Sequence, residues 1–271
     1  MLLRIRNLIN RFERFWWSKS AYKFYLKELT QLKSLKKSSK LYDTLIFSKT
    51  IKPVVLDSPS KKRIAVIAPH PDDEIIGPGG TLLSSTKKSC TVDIIYLTSG
   101  GRKDFVVREN EAKILCDKIG WNSHFLRNEE GKRNWNLENL LKIIYKLKPQ
   151  ILMIPFILDD NKDHQFFNKL LFHNKAKLKK AFLMKTEIWA YQVYTAVFPN
   201  VVVDITDFKE TKSELIKIYE SQMNKRDWAN FSIGLNAWTS RWLNNGSKSS
   251  WAESFYVVNL KEYINLLNKY Y

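Results

Sequence analysis

From Arg63 onward, short and almost uninterrupted apolar runs alternate with stretches of helical period, and that alternation limits the architectures open to the chain. The pattern predicts strands over Arg63–Ala68, Thr91–Thr98, Ser123–Arg127, Gln150–Ile157, Glu187–Val193 and Val201–Ile205. Helices are predicted between them, over Gly80–Lys87, Arg108–Ile119, Leu137–Leu147, His164–Lys180 and Asp207–Met223, with Gly120 and Pro149 as stop signals. The remainder, from Asn224, reads as a Trp-rich tail ending in a helix near Leu260–Asn268. Strands that are apolar on both faces belong in a parallel sheet covered on both sides. The expected fold is therefore α/β: a Rossmann-like, mostly parallel sheet with helices on both faces. Ligands of such sheets gather beyond the carboxyl ends of the strands.

Three segments are expected: a basic helical extension over residues 1–51, a Pro- and Ser-containing linker over 52–62, and the α/β domain over 63–271. Hydrophobic residues at 44% and aromatics at 13% are enough for a real core. The net charge of +18 is concentrated: residues 1–62 hold 15 Lys/Arg against 4 Asp/Glu, which is +11, leaving +7 for the rest. Such an arm suits an anionic membrane, a nucleic acid or an anionic substrate, although A·T-rich codon usage also produces lysine. No zinc-finger spacing, RNP-like run or basic-zipper heptad accompanies it, so no nucleic-acid partner is expected. Leu2, Ile5, Ile9, Phe12 and Trp16 form an apolar stripe among Arg4, Arg6, Arg11 and Arg14. Peripheral contact with an anionic membrane through residues 1–50, and packing of this stripe on protein, both stay open. Met1–Trp17 lacks a signal-peptide core, and no run reaches the ~20 apolar residues of a membrane span. Cys90 and Cys116 show no CxxC pairing and read as buried thiols. The expected location is cytoplasmic, at the inner membrane face if the arm binds lipid. Oligomeric state is not legible.

The first predicted strand runs directly into Ala68-Pro69-His70-Pro71-Asp72-Asp73-Glu74. One imidazole and two adjacent carboxylates are thus delivered to a single turn stiffened by prolines. A divalent metal suits such donors, although an acidic turn before a helix is also what an N-cap looks like. Gly77, Gly79 and Gly80 follow, where backbone can approach a ligand or a neighbouring helix. They fail the G-x-G-x-x-G spacing and follow an acidic turn, which argues against a nucleotide-phosphate site.

His70-Pro71-Asp72-Asp73-Glu74 with Gly77-Pro78-Gly79-Gly80 resembles the opening signature of the PIG-L/LmbE family of zinc-dependent de-N-acetylases. The resemblance continues through Thr98-Ser99-Gly100-Gly101-Arg102, through Arg108, Glu111 and Gly120, and through Asp163-His164. It extends to Val203-Asp204-Ile205-Thr206, Lys212, Ser221-Gln222 and Ala252-Glu253 with Phe255, so it spans about Arg63 to about Tyr256. The resemblance implies a hydrolase that removes acetyl groups from amino sugars of N-acetylglucosamine type, with phosphate-bearing, nucleotide-linked or lipid-linked forms suggested by the basic arm. It implies one zinc ion per subunit, or another divalent ion, held by His70, Asp73 and His164, with Asp72 as general base. Arg108 matches a substrate-binding arginine, Arg102 is a second candidate, and Asp163 would orient a metal ligand through a hydrogen bond; Asp159 and Asp160 could contribute similarly, although acidic loops are usually just solvated. Many members carry a histidine three positions before the second-motif ligand. Here Asn161 stands there and would stabilise an oxyanion only as a neutral amide. That departure motivates an alternative, a catalytically weak glycan-binding or assembly protein on the same fold.

Several of these residues have plainer readings. Arg108 could simply pair with Glu111 one helical turn on. Glu74 is expected to support the turn, and His124 and His173 to be structural. Trp238, Trp242 and Trp251 are of a kind that stacks on sugar rings, though such density is usual in a core.

Overall fold

The computed structural model describes residues 52–271 apart from 102–103, 133, 182–185, 196, 198 and 244–248. The proposed basic extension over residues 1–51 and the candidate Arg102 lie outside the described residues. The order of the main elements begins with β1 (Val54–Leu56), β2 (Arg63–Ala68), α1 (Asp73–Ile76), α2 (Gly79–Lys87), β3 (Thr91–Thr98), α3 (Phe105–Ile119) and β4 (Asn122–Asn128). It continues with α4 (Leu137–Leu147), β5 (Ile151–Pro155), α5 (Lys162–His173), α6 (Lys175–Ala181), β6 (Glu187–Tyr191) and β7 (Val201–Asp204). The chain ends with α7 (Lys209–Ile216), α8 (Glu220–Met223), α9 (Trp228–Thr239), β8 (Ala252–Asn259) and α10 (Leu260–Tyr270).

The strands form one sheet of order β1-β7-β8-β6-β5-β2-β3-β4. Every pairing is parallel except those of β8, which runs antiparallel between β6 and β7. The expected α/β fold is what the chain adopts, as a mixed sheet. Alternate residues of each strand feed opposite cores, as the two-residue period of a strand requires. Ala65, Ile67, Leu152 and Ile154 pack with Leu140, Ile144, Phe167 and Ile264 on one face. Ile64, Val66, Ile151 and Met153 pack with Ile75, Leu82, Leu115 and Ile216 on the other.

Three details differ from the sequence-based expectation. Val54–Leu56, inside the stretch predicted as linker, is a strand paired with β7. The single helix predicted over His164–Lys180 is two, joined at Asn174, and that over Asp207–Met223 is a 3₁₀ turn followed by α7 and α8. The Trp-rich tail holds a helix, α9, and an unpredicted central strand, β8.

After β2 the chain winds one way, through β3 to β4, and then returns to place β5 on the other side of β2. This reversal makes the crevice above the β2 and β5 carboxyl ends a topological switch point, where the flanking loops part and leave room for a ligand.

Candidate metal centre

The loop after β2 is held down before it delivers any side chain. Thr98 at the end of β3 donates from both its amide, at 3.0 Å, and its hydroxyl, at 2.8 Å, to the Pro69 carbonyl. The His70 amide donates to Asp73 Oδ2 at 2.8 Å, and the Asp72 amide to Glu74 Oε2 at 3.0 Å. Asp72 takes a φ of +119° at the entrance to α1 and makes no side-chain cap, which removes the plain N-cap reading of this turn. The glycines that follow serve packing. A Cβ at Gly77 would stand 2.5 Å from the Tyr191 ring and one at Gly80 2.7 Å from Ile205 Cδ1. The first amides of α2, on Gly80 and Thr81, donate to the two oxygens of Glu253 at 2.7 and 2.8 Å. That helix terminus already holds an anion supplied by the chain itself.

The second set of groups comes from β5 and the start of α5. Asn161 caps α5, its side-chain oxygen accepting from the amides of Asp163 at 2.8 Å and His164 at 3.4 Å. The cap fixes the helix so that His164 points at the β2 loop. His164 Nε2 lies 3.1 Å from Asp73 Oδ2, and His70 Nδ1 lies 3.3 Å from the same oxygen. Ligand atoms of His70, Asp73 and His164 all fall within 4.8 Å of one another, and all three residues are buried. Residues 91 apart in sequence thus meet at one point.

Each imidazole has a carboxylate behind it. His70 Nε2 is 3.3 Å from Asp163 Oδ2, and His164 Nδ1 is 3.4 Å from Asp159 Oδ1. A carboxylate on the far nitrogen fixes ring orientation and makes the near nitrogen a stronger donor. Asp163 in turn accepts from the Gly131 amide at 3.0 Å, and Asp159 from the amides of Asn161 at 3.0 Å and Tyr194 at 3.2 Å. The predicted orienting role of Asp163 falls on His70. Asp159, which in the sequence could contribute in the same way or be no more than a solvated loop aspartate, stands behind His164.

The electrostatics suit a cation. Burial alone would pull both imidazoles down, but Asp163 and Asp73 outweigh it at His70, raised to about 9, and Asp73 and Asp159 do so at His164, raised to about 10. Burial would push Asp73 up, yet the two histidines hold its carboxyl far below the ordinary carboxylate range. Asp73 Oδ1 is buried without a hydrogen-bond partner.

Asp72 sits beside this cluster without belonging to it. Burial raises its carboxyl to about 7, against the pull of the Arg108 guanidinium. Arg108 Nη2 lies 3.3 Å from Asp72 Oδ2 and donates to the Pro71 carbonyl at 2.5 Å. The plainer alternative for Arg108, a pairing with Glu111, is not formed; Glu111 accepts from the amide and hydroxyl of Ser221, at 2.9 and 2.7 Å. Glu74 supports the turn as expected and is also bound by the Tyr219 hydroxyl at 2.5 Å, with burial raising its carboxyl to about 8. His124 is structural as expected, 2.9 Å from Asp93, and His173 belongs to no metal-ligand cluster among the described residues. A cleft of about 420 Å³ opens onto the cluster, lined by His70, Asn161, Asp163, Glu130 and Tyr194. Tyr194 packs its ring 5.5 Å from that of His164, a contact the sequence did not announce.

Residues 65–174 match the family model described as PIG-L: GlcNAc-PI de-N-acetylase. Diacetylchitobiose deacetylase of Thermococcus kodakarensis is 27% identical over 194 residues, 62% of this chain and 72% of that protein. N,N'-diacetylchitobiose deacetylase from Pyrococcus horikoshii shares the fold with a TM-score of 0.60 at 18% identity, over 90% of this chain and 94% of that one. A 4-carboxy-2-hydroxymuconate hydratase from Pseudomonas putida KT2440 does so at 0.59 and 16% identity, over 73% of this chain and 96% of that one. The hydratase makes clear that the architecture by itself does not fix a reaction, so the resemblance rests on the motifs and on the cluster they build. With those motifs in order and their side chains converging at one point, the chain resembles the PIG-L/LmbE de-N-acetylases over the residues that the family model matches.

Proposed function

We propose that the protein is a zinc-dependent amidohydrolase that removes the acetyl group from an N-acetylated amino sugar of N-acetylglucosamine type. The observation that carries this is the buried convergence of His70, Asp73 and His164 within 4.8 Å at the sheet's switch point. Two imidazole nitrogens and one carboxylate oxygen are a donor set of catalytic zinc, and the unpartnered Asp73 Oδ1 fits a group supplied from outside the chain. Zinc, when bound, supplies Lewis acidity, acidifying a water and polarising the amide carbonyl.

The chain's own residues do the rest. Asp72, with its carboxyl near neutrality, accepts a proton from the water that attacks the acetyl carbon. It returns that proton to the sugar nitrogen as the carbon–nitrogen bond breaks, leaving acetate and a free amine. Arg108 keeps Asp72 aimed and ionised in part. Asn161, which lines the cleft while capping α5, is the neutral hydrogen-bond donor for the tetrahedral oxyanion. Deacetylases of diacetylchitobiose among the similar proteins support a β-linked amino sugar as first substrate to try.

The test is acetate release from N,N'-diacetylchitobiose by zinc-loaded protein, beside folded Asp72→Asn and His70→Ala variants. Asp72→Asn should lose about 10²-fold or more in kcat while keeping its zinc. His70→Ala should lose both zinc and turnover. Full activity in either variant would remove the mechanism, and sugar binding without turnover in the zinc-loaded wild type would favour a binding module.

A further inference from the structure

α9 is built the wrong way round for a helix that only packs. The face it turns to the protein is polar or small: Ala229, Ser232, Asn236 and Thr239 are its buried residues. Those polar groups are satisfied inside. Ser232 donates to the Ile76 carbonyl at 2.9 Å, Asn236 Oδ1 accepts from Lys212 at 3.0 Å, and Thr239 meets the Ser254 hydroxyl at 3.4 Å. The outer face carries Phe231 and Trp238, two helical turns apart on one line, with 54% and 66% of their surfaces in solvent. The same face is flanked by cations. The Arg226 guanidinium lies 5.5 and 5.8 Å from the rings of Trp228 and Phe231, and that of Arg241 4.5 and 4.8 Å from Trp238 and Trp242.

This aromatic face is continuous with the metal centre. Ring centroids step from His164 to Tyr194 at 5.5 Å, from Tyr194 to Trp228 at 5.6 Å and from Trp228 to Phe231 at 6.2 Å. Across the start of α9, Lys225 reaches Asp104 at 3.9 Å, immediately before a second exposed apolar group, Phe105, Val106 and Val107 at the head of α3. The helix that carries Arg108 to Asp72 therefore begins on the same rim.

We propose that this rim docks on the surface of an anionic lipid bilayer, placing the cleft at headgroup level. Aromatic rings on one helix face, with an arginine beyond each end of the helix, match the interfacial layer, where rings enter the acyl boundary and guanidinium groups meet phosphates. Three features select lipid over the other occupants of an apolar face. A glycan platform pairs rings with hydrogen-bonding groups, which Val106 and Val107 cannot supply. A second copy of a chain with net charge +18 is repelled at long range, while an anionic surface attracts it. No helix among the described residues is long and apolar enough to cross a bilayer, so the contact is one of lying on the surface.

The experiment is co-sedimentation of the full chain with vesicles of phosphatidylcholine and phosphatidylglycerol, and with phosphatidylcholine alone. Wild type is expected to bind the mixed vesicles. A Phe231→Ser, Trp238→Ser double variant should reduce the bound fraction about tenfold or more, without change in melting temperature, because both side chains are already exposed. An Arg226→Glu, Arg241→Glu variant should lose the preference for the anionic vesicles. Failure of wild type to bind, or undiminished binding by both variants, overturns the proposal. So does a wild-type dimer in light scattering that the Ser variant dissociates, which assigns the face to a second copy. Vesicle binding is read without substrate, so it stands or falls apart from the deacetylase reaction.

Discussion

Asp72 adopts a left-handed φ of +119° with a side chain that has no steric ease there, and such strain persists only where the surroundings over-determine it. The surroundings are visible: Glu74 holds its amide, and Arg108 grips both its carboxylate and the carbonyl of Pro71. Arg108 is itself located by Gly100, whose φ is +90° and whose added Cβ would stand 2.5 Å from Arg108 Cδ. Gly100→Ala is therefore expected to lower kcat by about tenfold or more while zinc content stays at wild type, since a misplacement of about 1 Å at the base is costly. Unchanged turnover would free Arg108 from any positioning role. Asp163→Asn should weaken zinc affinity by about 10–100-fold, measured by competition with a chelator, because His70 would lose the carboxylate behind it. Wild-type affinity in that variant would deny the contact any part in holding the ion. His70, Asp72 and Asp73 were legible because they sit side by side in a rigid turn. Tyr194 and Tyr219 were not, since each acts through a contact made only when distant loops fold together.

At the scale of elements, β8 joins the least expected strand to the most constrained helix terminus. Its Glu253 is buried, binds the first amides of α2 and pairs with the buried Lys212 of α7 at 2.7 Å. Removing one member of such a pair leaves a charge without a partner in the interior. Glu253→Ala should thus cost about 3–5 kcal/mol in chemical denaturation, and a loss below about 1 kcal/mol would show that Lys212 finds another counter-charge. Glu253→Gln retains shape but not charge and should fall between the two. The sequence hid β8 because its second and third residues are Glu253 and Ser254, polar where a buried strand is expected to be apolar. Their partners lie on α2, α7 and α9, out of reach of any local pattern. The parallel strands β2, β3 and β5 were legible for the converse reason: their apolar residues face two cores and need no partner to explain them.

At the scale of the molecule, the two halves of the sheet are joined through the cluster of His70, Asp73 and His164 as well as through backbone pairing. An ion that binds only the folded state adds stability by mass action, about 4 kcal/mol at a thousand-fold excess over its dissociation constant. Exhaustive chelation should abolish acetate release and lower the melting temperature, and zinc alone should restore both. Loss of activity with an unmoved melting temperature would place the ion on a flexible surface and not at the junction of β2 and β5.

That junction also sets an order of events in time. His164 follows Asp73 by 91 residues, and nothing brings them together until β5 has been laid beside β2. A chain still emerging from the ribosome offers two donors on a turn, a weak grip that most cations would leave. Capture of an ion by this cluster would thus wait on the threading of the central strand pair, and a loaded chain would be one whose middle has already been assembled correctly.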